Sequence, residues 1–152
     1  MIDPELLLQG YRLGVFPMAM EDESIQWFSP DPRAILPLKD FHVPHALRRV
    51  VRKKAFETTI DNAFSKVIEE CAKREDTWIN LEIIESYTRL HELGSAHSVE
   101  AWKEGTLAGG LYGVAVGGAF FRRINVPLRH RCIEDCAGRA GRTFASAKIR
   151  AA

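Results

Sequence analysis

The amino-acid sequence changes character at Arg122, and that break bounds where a folded core can lie. Residues 1–121 carry 13 basic and 18 acidic side chains, a net of −5, and their apolar positions recur with helical or strand periods. Residues 122–152 carry 8 basic and 2 acidic side chains, a net of +6, and show no such period. The overall +1 is therefore an average of two unlike pieces and does not describe a broadly basic nucleic-acid binder. A length of 152 residues with 46% hydrophobic and 27% charged side chains suits one domain, with or without a small appendage.

Within the first piece the periods read as follows. Pro4 stands at a first helical position behind Asp3 as N-cap, Leu6, Leu7, Leu8 and Tyr11 give the apolar face, and Gly14 ends the helix. Residues 15–33 hold Pro17, Pro30 and Pro32 and read as a rigid, turn-bound surface without regular structure. Trp27 and Phe28 there suit either a binding wall or a small aromatic core. Residues 34–38 read as a short strand, at a sheet edge because of Pro37. A helix from Pro44 carries Arg48, Arg49, Arg52, Lys53 and Lys54, five cations in seven positions, which suit a solvated face or a polyanion.

Residues 56–60 are strand-like, after which Asp61 is expected to cap a helix with Ala63, Phe64, Val67, Ile68 and Cys71 inward. Asn80 caps a third helix, with Ile83, Ile84, Tyr87, Leu90 and Leu93 inward and Gly94 just past its end. Residues 97–102 alternate like a strand, Lys103-Glu104-Gly105 is a hairpin turn, and the glycine-rich residues 107–121 form the returning strand pair. Helices followed by such a meander predict an α+β fold, with residues 1–33 as a separate small layer.

Several function classes are excluded. No stretch approaches the roughly 18 apolar residues of a membrane span, so no membrane is expected. The acidic start, Met1-Ile2-Asp3-Pro4-Glu5, lacks the basic leader of a secretory signal. Three cysteines, Cys71, Cys132 and Cys136, make no paired framework, which implies reduced thiols and a cytoplasmic setting. Cys132 and Cys136 flank His130, but a zinc site usually needs four ligands, so no metal is expected. Neither a dinucleotide loop nor a phosphate-binding loop occurs.

An ordered set of strings then becomes informative. Tyr11-Arg12-Leu13-Gly14-Val15-Phe16-Pro17, Trp27-Phe28-Ser29-Pro30-Asp31-Pro32-Arg33-Ala34, and Phe41-His42-Val43-Pro44 come first. Asp76-Thr77-Trp78-Ile79-Asn80, Tyr87-Thr88-Arg89-Leu90-His91-Glu92-Leu93-Gly94, Ala96-His97-Ser98-Val99-Glu100 and Gly109-Gly110-Leu111-Tyr112-Gly113-Val114 follow. Together they resemble the bacterial leucyl/phenylalanyl-tRNA–protein transferases over residues 1–121. The resemblance implies a small N-terminal subdomain (1–33), the first part of an acetyltransferase-like (GNAT) α+β domain (34–121), and a reaction needing no cofactor. That reaction moves Leu, Phe or less readily Met from charged tRNA to an N-terminal Arg or Lys, marking the protein for degradation. An aminoacyl ester is already activated, so the protein's task is to hold the tRNA 3′ end and position the amine. By resemblance, Trp78, Tyr87 and Phe120, with Tyr11 nearby, form the aromatic wall, and Arg48, Arg49, Arg52, Lys53 and Lys54 track the acceptor-stem phosphates. Met18 departs from the family, some members of which carry Trp there. The partners implied are aminoacyl-tRNA and proteins with N-terminal Arg or Lys, bound by a monomer.

From Arg122 the family strings stop, although the family continues with Gly-Glu-Ser-Met-Phe, a Thr/Ser-Asp-Ala-Ser-Lys helix start and later an Asp-x-Gln site. Synonymous codons for residues 122–127 (CGG CGA ATC AAT GTT CCA) read one nucleotide later as Gly-Glu-Ser-Met-Phe-His. Codons for residues 129–136 shifted alike give Val-Thr-Asp-Ala-Ser-Lys-Ile. A one-nucleotide frameshift therefore accounts for residues 122–152, against a natural variant with a basic arm. The tail lacks the family's catalytic groups, so no catalytic residue is assigned and transfer by this chain is expected to be negligible. Apolar residues on 111–121 are expected to lose partners. Two rivals are an acyl-CoA-dependent N-acetyltransferase, whose pyrophosphate loop is absent, and a non-enzymatic tRNA-binding remnant. Sequencing of the gene is expected to reveal both family strings in the shifted frame; a frame without them overturns the frameshift.

Overall fold

The computed structural model describes residues 1–37, 42–74 and 77–127. Leu38, Phe41, Asp76 and the tail beyond Pro127, including His130, Cys132 and Cys136, lie outside the described residues. The chain begins with α1 (Pro4–Arg12), where Asp3 accepts from the backbone N–H groups of Glu5 and Leu6 and proline occupies the first turn. Next come β1 (Phe16–Ala19) and β2 (Ile25–Phe28), then α2 (His45–Arg52), β3 (Glu57–Ile60), α3 (Phe64–Ala72) and α4 (Leu81–Glu92). The long strands β4 (Ala96–Lys103), β5 (Thr106–Val116) and β6 (Ala119–Pro127) follow. The result is a mixed α/β structure compatible with the α+β expectation.

The main sheet is antiparallel, in the order β3-β4-β5-β6. Glu104 and Gly105, both at positive φ, make the two-residue turn between β4 and β5, a backbone twist that matches the strands it joins. Tyr112 and Val114 of β5 join Ala96 of β4 on the face covered by α1, α3 and α4, which contribute Leu7, Tyr11, Val67, Ile68, Ile83, Tyr87 and Leu90. Alternation sends Val99, Ala101 and Leu111 to the other face, where Phe56 and Phe120 pack on them. The apolar residues of β5 therefore keep their partners, contrary to the expectation of an uncovered sheet. Pairing also continues past Phe121, with Pro127 of β6 opposite Gly109.

Three local expectations differ from the structure. Residues 15–33 contain the β1–β2 hairpin rather than irregular chain, with Pro17 opposite Trp27. A two-stranded ribbon has two free edges, so a proline lacking its donor is tolerated there. Residues 34–37 form no strand. Asp61 does not cap α3, whose N-cap is Ala63 without a side-chain bond; Asp61 adopts a left-handed φ of 57° and turns toward β4. Leu7 and Tyr11 of α1 belong to the same hydrophobic cluster as the sheet and the other helices.

The hairpin seats on α1 through Gly10, since a methyl there would stand 2.4 Å from the Trp27 ring. Its outer edge is tied down where Ala19 N–H donates to the Trp78 carbonyl at 3.0 Å. Asn80 caps α4 by accepting from Ile83 N–H at 3.0 Å. Gly113 marks the closest approach of β5 and β6: a Cβ there would lie 2.5 Å from the Phe121 carbonyl oxygen and 2.7 Å from the Phe120 ring. Gly113→Ala is expected to destabilise by about 1–3 kcal/mol through overpacking. Gly118→Ala, which meets nothing within 4 Å, is expected to stay within about 0.5 kcal/mol. Urea titration of the two variants checks the contrast.

Candidate functional site

The helix face of the sheet carries a continuous run of rings. Tyr11 of α1 and Tyr87 of α4 are buried and meet edge-on, with their hydroxyls hydrogen-bonded at 2.6 Å. Tyr87 meets Tyr112 of β5 at 5.7 Å, Tyr112 meets Phe64 of α3 at 5.9 Å, and Phe64 stacks flat on His91 at 4.3 Å. At the other end Phe121 of β6 packs on Tyr11 at 5.2 Å. Edge-to-face pairing favours such geometry by matching ring edges to π-faces.

The structure thus brings Tyr11 and Tyr87 together. Trp78, just ahead of α4, is half-buried against the same cluster. Phe120 stands apart from them on the opposite face of the sheet, against Val99, Ala101 and Leu111. Its neighbour Phe121, which the sequence reading did not single out, takes the place beside Tyr11. Strand alternation was the available signal: two consecutive residues of a strand cannot share a face. Met18 lies half-buried in β1 opposite Gln26.

Beside Phe121 stands another residue the sequence reading passed over. Arg33 holds its guanidinium 5.6 Å above the Phe121 ring and donates to the carbonyl of Gly14, just past α1. The five cations predicted for polyanion binding share one short element. Arg48, Arg49 and Arg52 are exposed on α2, Lys53 is its C-cap, and Lys54 follows at a positive φ. Arg48 Nε donates to the Val43 carbonyl at 3.0 Å. None of the five forms an ion pair with a carboxylate among the described residues. Arg49 and Arg52 also sit in the last turn, where the helix dipole favours positive charge.

A second polar centre lies where β3 ends. Asp61 accepts from His97 Nδ1 and from Ser98 N–H, both at 2.8 Å, and His91 Nδ1 stands 3.8 Å away. His91 Nδ1 also contacts the Ala96 carbonyl at 2.9 Å, and a carbonyl only accepts, so this nitrogen carries the proton. Partial burial alone would raise the Asp61 pKa; the bonds from His97 and Ser98 and the nearby imidazole charges outweigh it and hold the carboxyl below its ordinary value. The hydrogen bond to Asp61 lifts His97 above the ordinary imidazole value, against a smaller opposing effect of burial.

Nearby, buried Glu100 accepts from Thr59 Oγ1 at 2.6 Å, Ser98 Oγ at 2.5 Å and Ala63 N–H at 3.3 Å, which ties α3 to β3 and β4. Cys71 is buried and its thiol is pushed up to about 12 by desolvation, so it is no nucleophile. No metal-binding group of His, Cys, Asp or Glu occurs among the described residues, and no described helix is long and apolar enough to cross a membrane.

An antiparallel sheet with helices on one face, an aromatic cluster at its centre and a cationic helix define the chain structurally. Residues 1–31 match the leucyl/phenylalanyl-tRNA protein transferase N-terminal domain, and residues 35–124 match the leucyl/phenylalanyl-tRNA protein transferase family model. The chain belongs to the leucyl/phenylalanyl-tRNA protein transferase family. It is 59% identical over 121 residues to a leucyl/phenylalanyl-tRNA–protein transferase of Salinibacter ruber, covering 79% of this chain and 54% of that protein. It is 50% identical over 120 residues to one of Herpetosiphon aurantiacus, covering 78% and 62%. With one of Akkermansia muciniphila it shares 52% over 125 residues, covering 79% and 65%. The chain therefore spans between about half and two thirds of the length of these relatives.

The Asp61–His97 pair sets a pH window for stability. A raised His97 pKa contributes fully below the ordinary imidazole value of about 6.5 and is lost as pH rises through the raised one. A lowered Asp61 pKa contributes above the ordinary carboxylate value of about 3.9 and is lost as pH falls through the lowered one. The pair's contribution is therefore largest between about pH 4 and 6.5. Urea midpoints measured against pH are expected to show this maximum for the wild type, and the advantage over Asp61→Asn is expected to shrink outside the window.

Proposed function

We propose that this chain carries the aminoacyl-tRNA-binding part of an aminoacyltransferase that moves Leu, Phe or less readily Met from charged tRNA to the N-terminal Arg or Lys of a protein. The supporting observation is the family match, which runs through residues 1–31 and 35–124 and ends just after the chain turns basic. The aminoacyl ester supplies its own driving force, so the protein's work is positioning. The half-buried rings of Trp78 and Phe121, backed by the buried Tyr11 and Tyr87, would take the terminal adenosine, and stacking is worth about 1–3 kcal/mol per base. Arg48, Arg49, Arg52, Lys53 and Lys54 would follow the acceptor-stem phosphates.

The four-stranded antiparallel order with helices on one face supports reading the body as the first part of an acetyltransferase-like domain. A cytoplasmic monomer that marks proteins for degradation fits this reading. Residues 122–152 would be a frameshifted replacement for the family's continuation, whose glutamate and Asp-x-Gln pair act around the reacting amine. The chain would then hold tRNA without completing transfer. Incubation of the purified protein with leucyl-tRNA and a peptide beginning with Arg is expected to yield no leucylated peptide; robust transfer overturns this. The protein is expected to bind tRNA with a salt-dependent affinity. Replacing Arg48, Arg49 and Arg52 by Gln is expected to lower the slope of log K against log salt by about 2–3, read by filter binding.

A further inference from the structure

We propose that Arg33 is an anion-binding residue that takes the 5′-phosphate of the nucleotide seated on the neighbouring aromatic rings; this rests on the transferase reading above. Arg33 is half-buried, and its guanidinium lies 5.6 Å over Phe121, which in turn packs on Tyr11. One terminal nitrogen donates to the Gly14 carbonyl. A guanidinium has five N–H donors, so this contact leaves most of them unspent. No carboxylate forms an ion pair with Arg33 among the described residues.

Anchoring the end of α1 requires only a neutral donor, which glutamine would supply. The charge exceeds what that contact needs, and partial burial makes it costly to keep without a counter-ion. The half-charge at the carboxyl end of α1 offsets part of that cost, and the remaining N–H groups have no further partner among the described residues. A planar cation bordering a partly exposed aromatic ring, here Phe121, is the combination that recognises a nucleotide, with the ring taking the base and the guanidinium fork a phosphate oxygen pair. Arg33 sits at the rim of the ring cluster, with Phe121 also partly exposed. A phosphate joined to a base on those rings would therefore meet its free edge. The basic helix α2 would contact phosphates further along the same strand.

The test uses the full 152-residue chain and two stable probes, 3′-deoxy-3′-leucylamidoadenosine and its 5′-monophosphate. Calorimetry at low salt is expected to show the monophosphate binding about tenfold more tightly than the nucleoside. Arg33→Gln is expected to remove that advantage while leaving the nucleoside affinity within about twofold; Arg33→Lys, which keeps the charge without the fork, retains part of it. Equal binding of the two probes by the wild type overturns the proposal, whether or not the variants fold. An equal loss for both probes in Arg33→Gln also overturns it, because Arg33 is then a structural staple. If the nucleoside binds and the phosphate adds nothing, only the role of Arg33 falls. If neither probe binds, the aromatic site and the role of Arg33 fall together.

Discussion

The helix side of this protein depends on how closely α3 approaches β5, and Gly110 sets that distance. A Cβ at Gly110 would lie 2.9 Å from a methyl of Val67 and 3.4 Å from the Val99 carbonyl. With hydrogen in that position, α3 settles onto the strand and presents Phe64 to Tyr112. Tyr112 then meets Tyr87, and Tyr87 meets Tyr11 through both ring edge and hydroxyl. A larger residue would lift α3 and separate the rings that link three helices to one sheet. Close packing of this kind is a matter of tenths of an ångström, because dispersion contacts fade quickly with distance.

Around that contact the polar groups act as fasteners. Glu100 is fully buried, yet its carboxylate accepts from Thr59, Ser98 and the backbone at Ala63. Trp102 Nε1 donates to the same Thr59 oxygen at 2.7 Å, extending the network along β3 and β4. A buried polar group is tolerable only when its hydrogen-bonding capacity is met in this way. Asp61 does similar work at the sheet's end by satisfying the Ser98 N–H and orienting His97. Opposite the helices, Gly113 leaves room for the Phe120 ring, so Gly110 and Gly113 serve different faces of one strand.

Much of the secondary structure was legible. The caps at Asp3 and Asn80, the left-handed Gly14 and Gly94 and the turn at Gly105 are local chemistry, and the structure carries each of them. The misreadings share a cause. Three prolines disguised the β1–β2 hairpin, because its pairing depends on a partner strand and on the Gly10 seat rather than on propensity. Asp61 has the composition of a helix cap, but the neighbouring β4 offered stronger partners in His97 and Ser98. Resemblance pointed to Phe120 as a companion of Tyr11, whereas alternation along β6 gives that contact to Phe121.

The sequence by itself determined the family, the order of the elements and the cationic run on α2, since each is written in local strings and periods. Only the tertiary structure decided that Leu7 and Tyr11 share the main core, that the rings divide between two sheet faces, and that Arg33 stands beside Phe121. Helix and strand periods say which side of an element is apolar. They do not say which distant element will cover it, because that choice follows from volume and close approach across the whole chain.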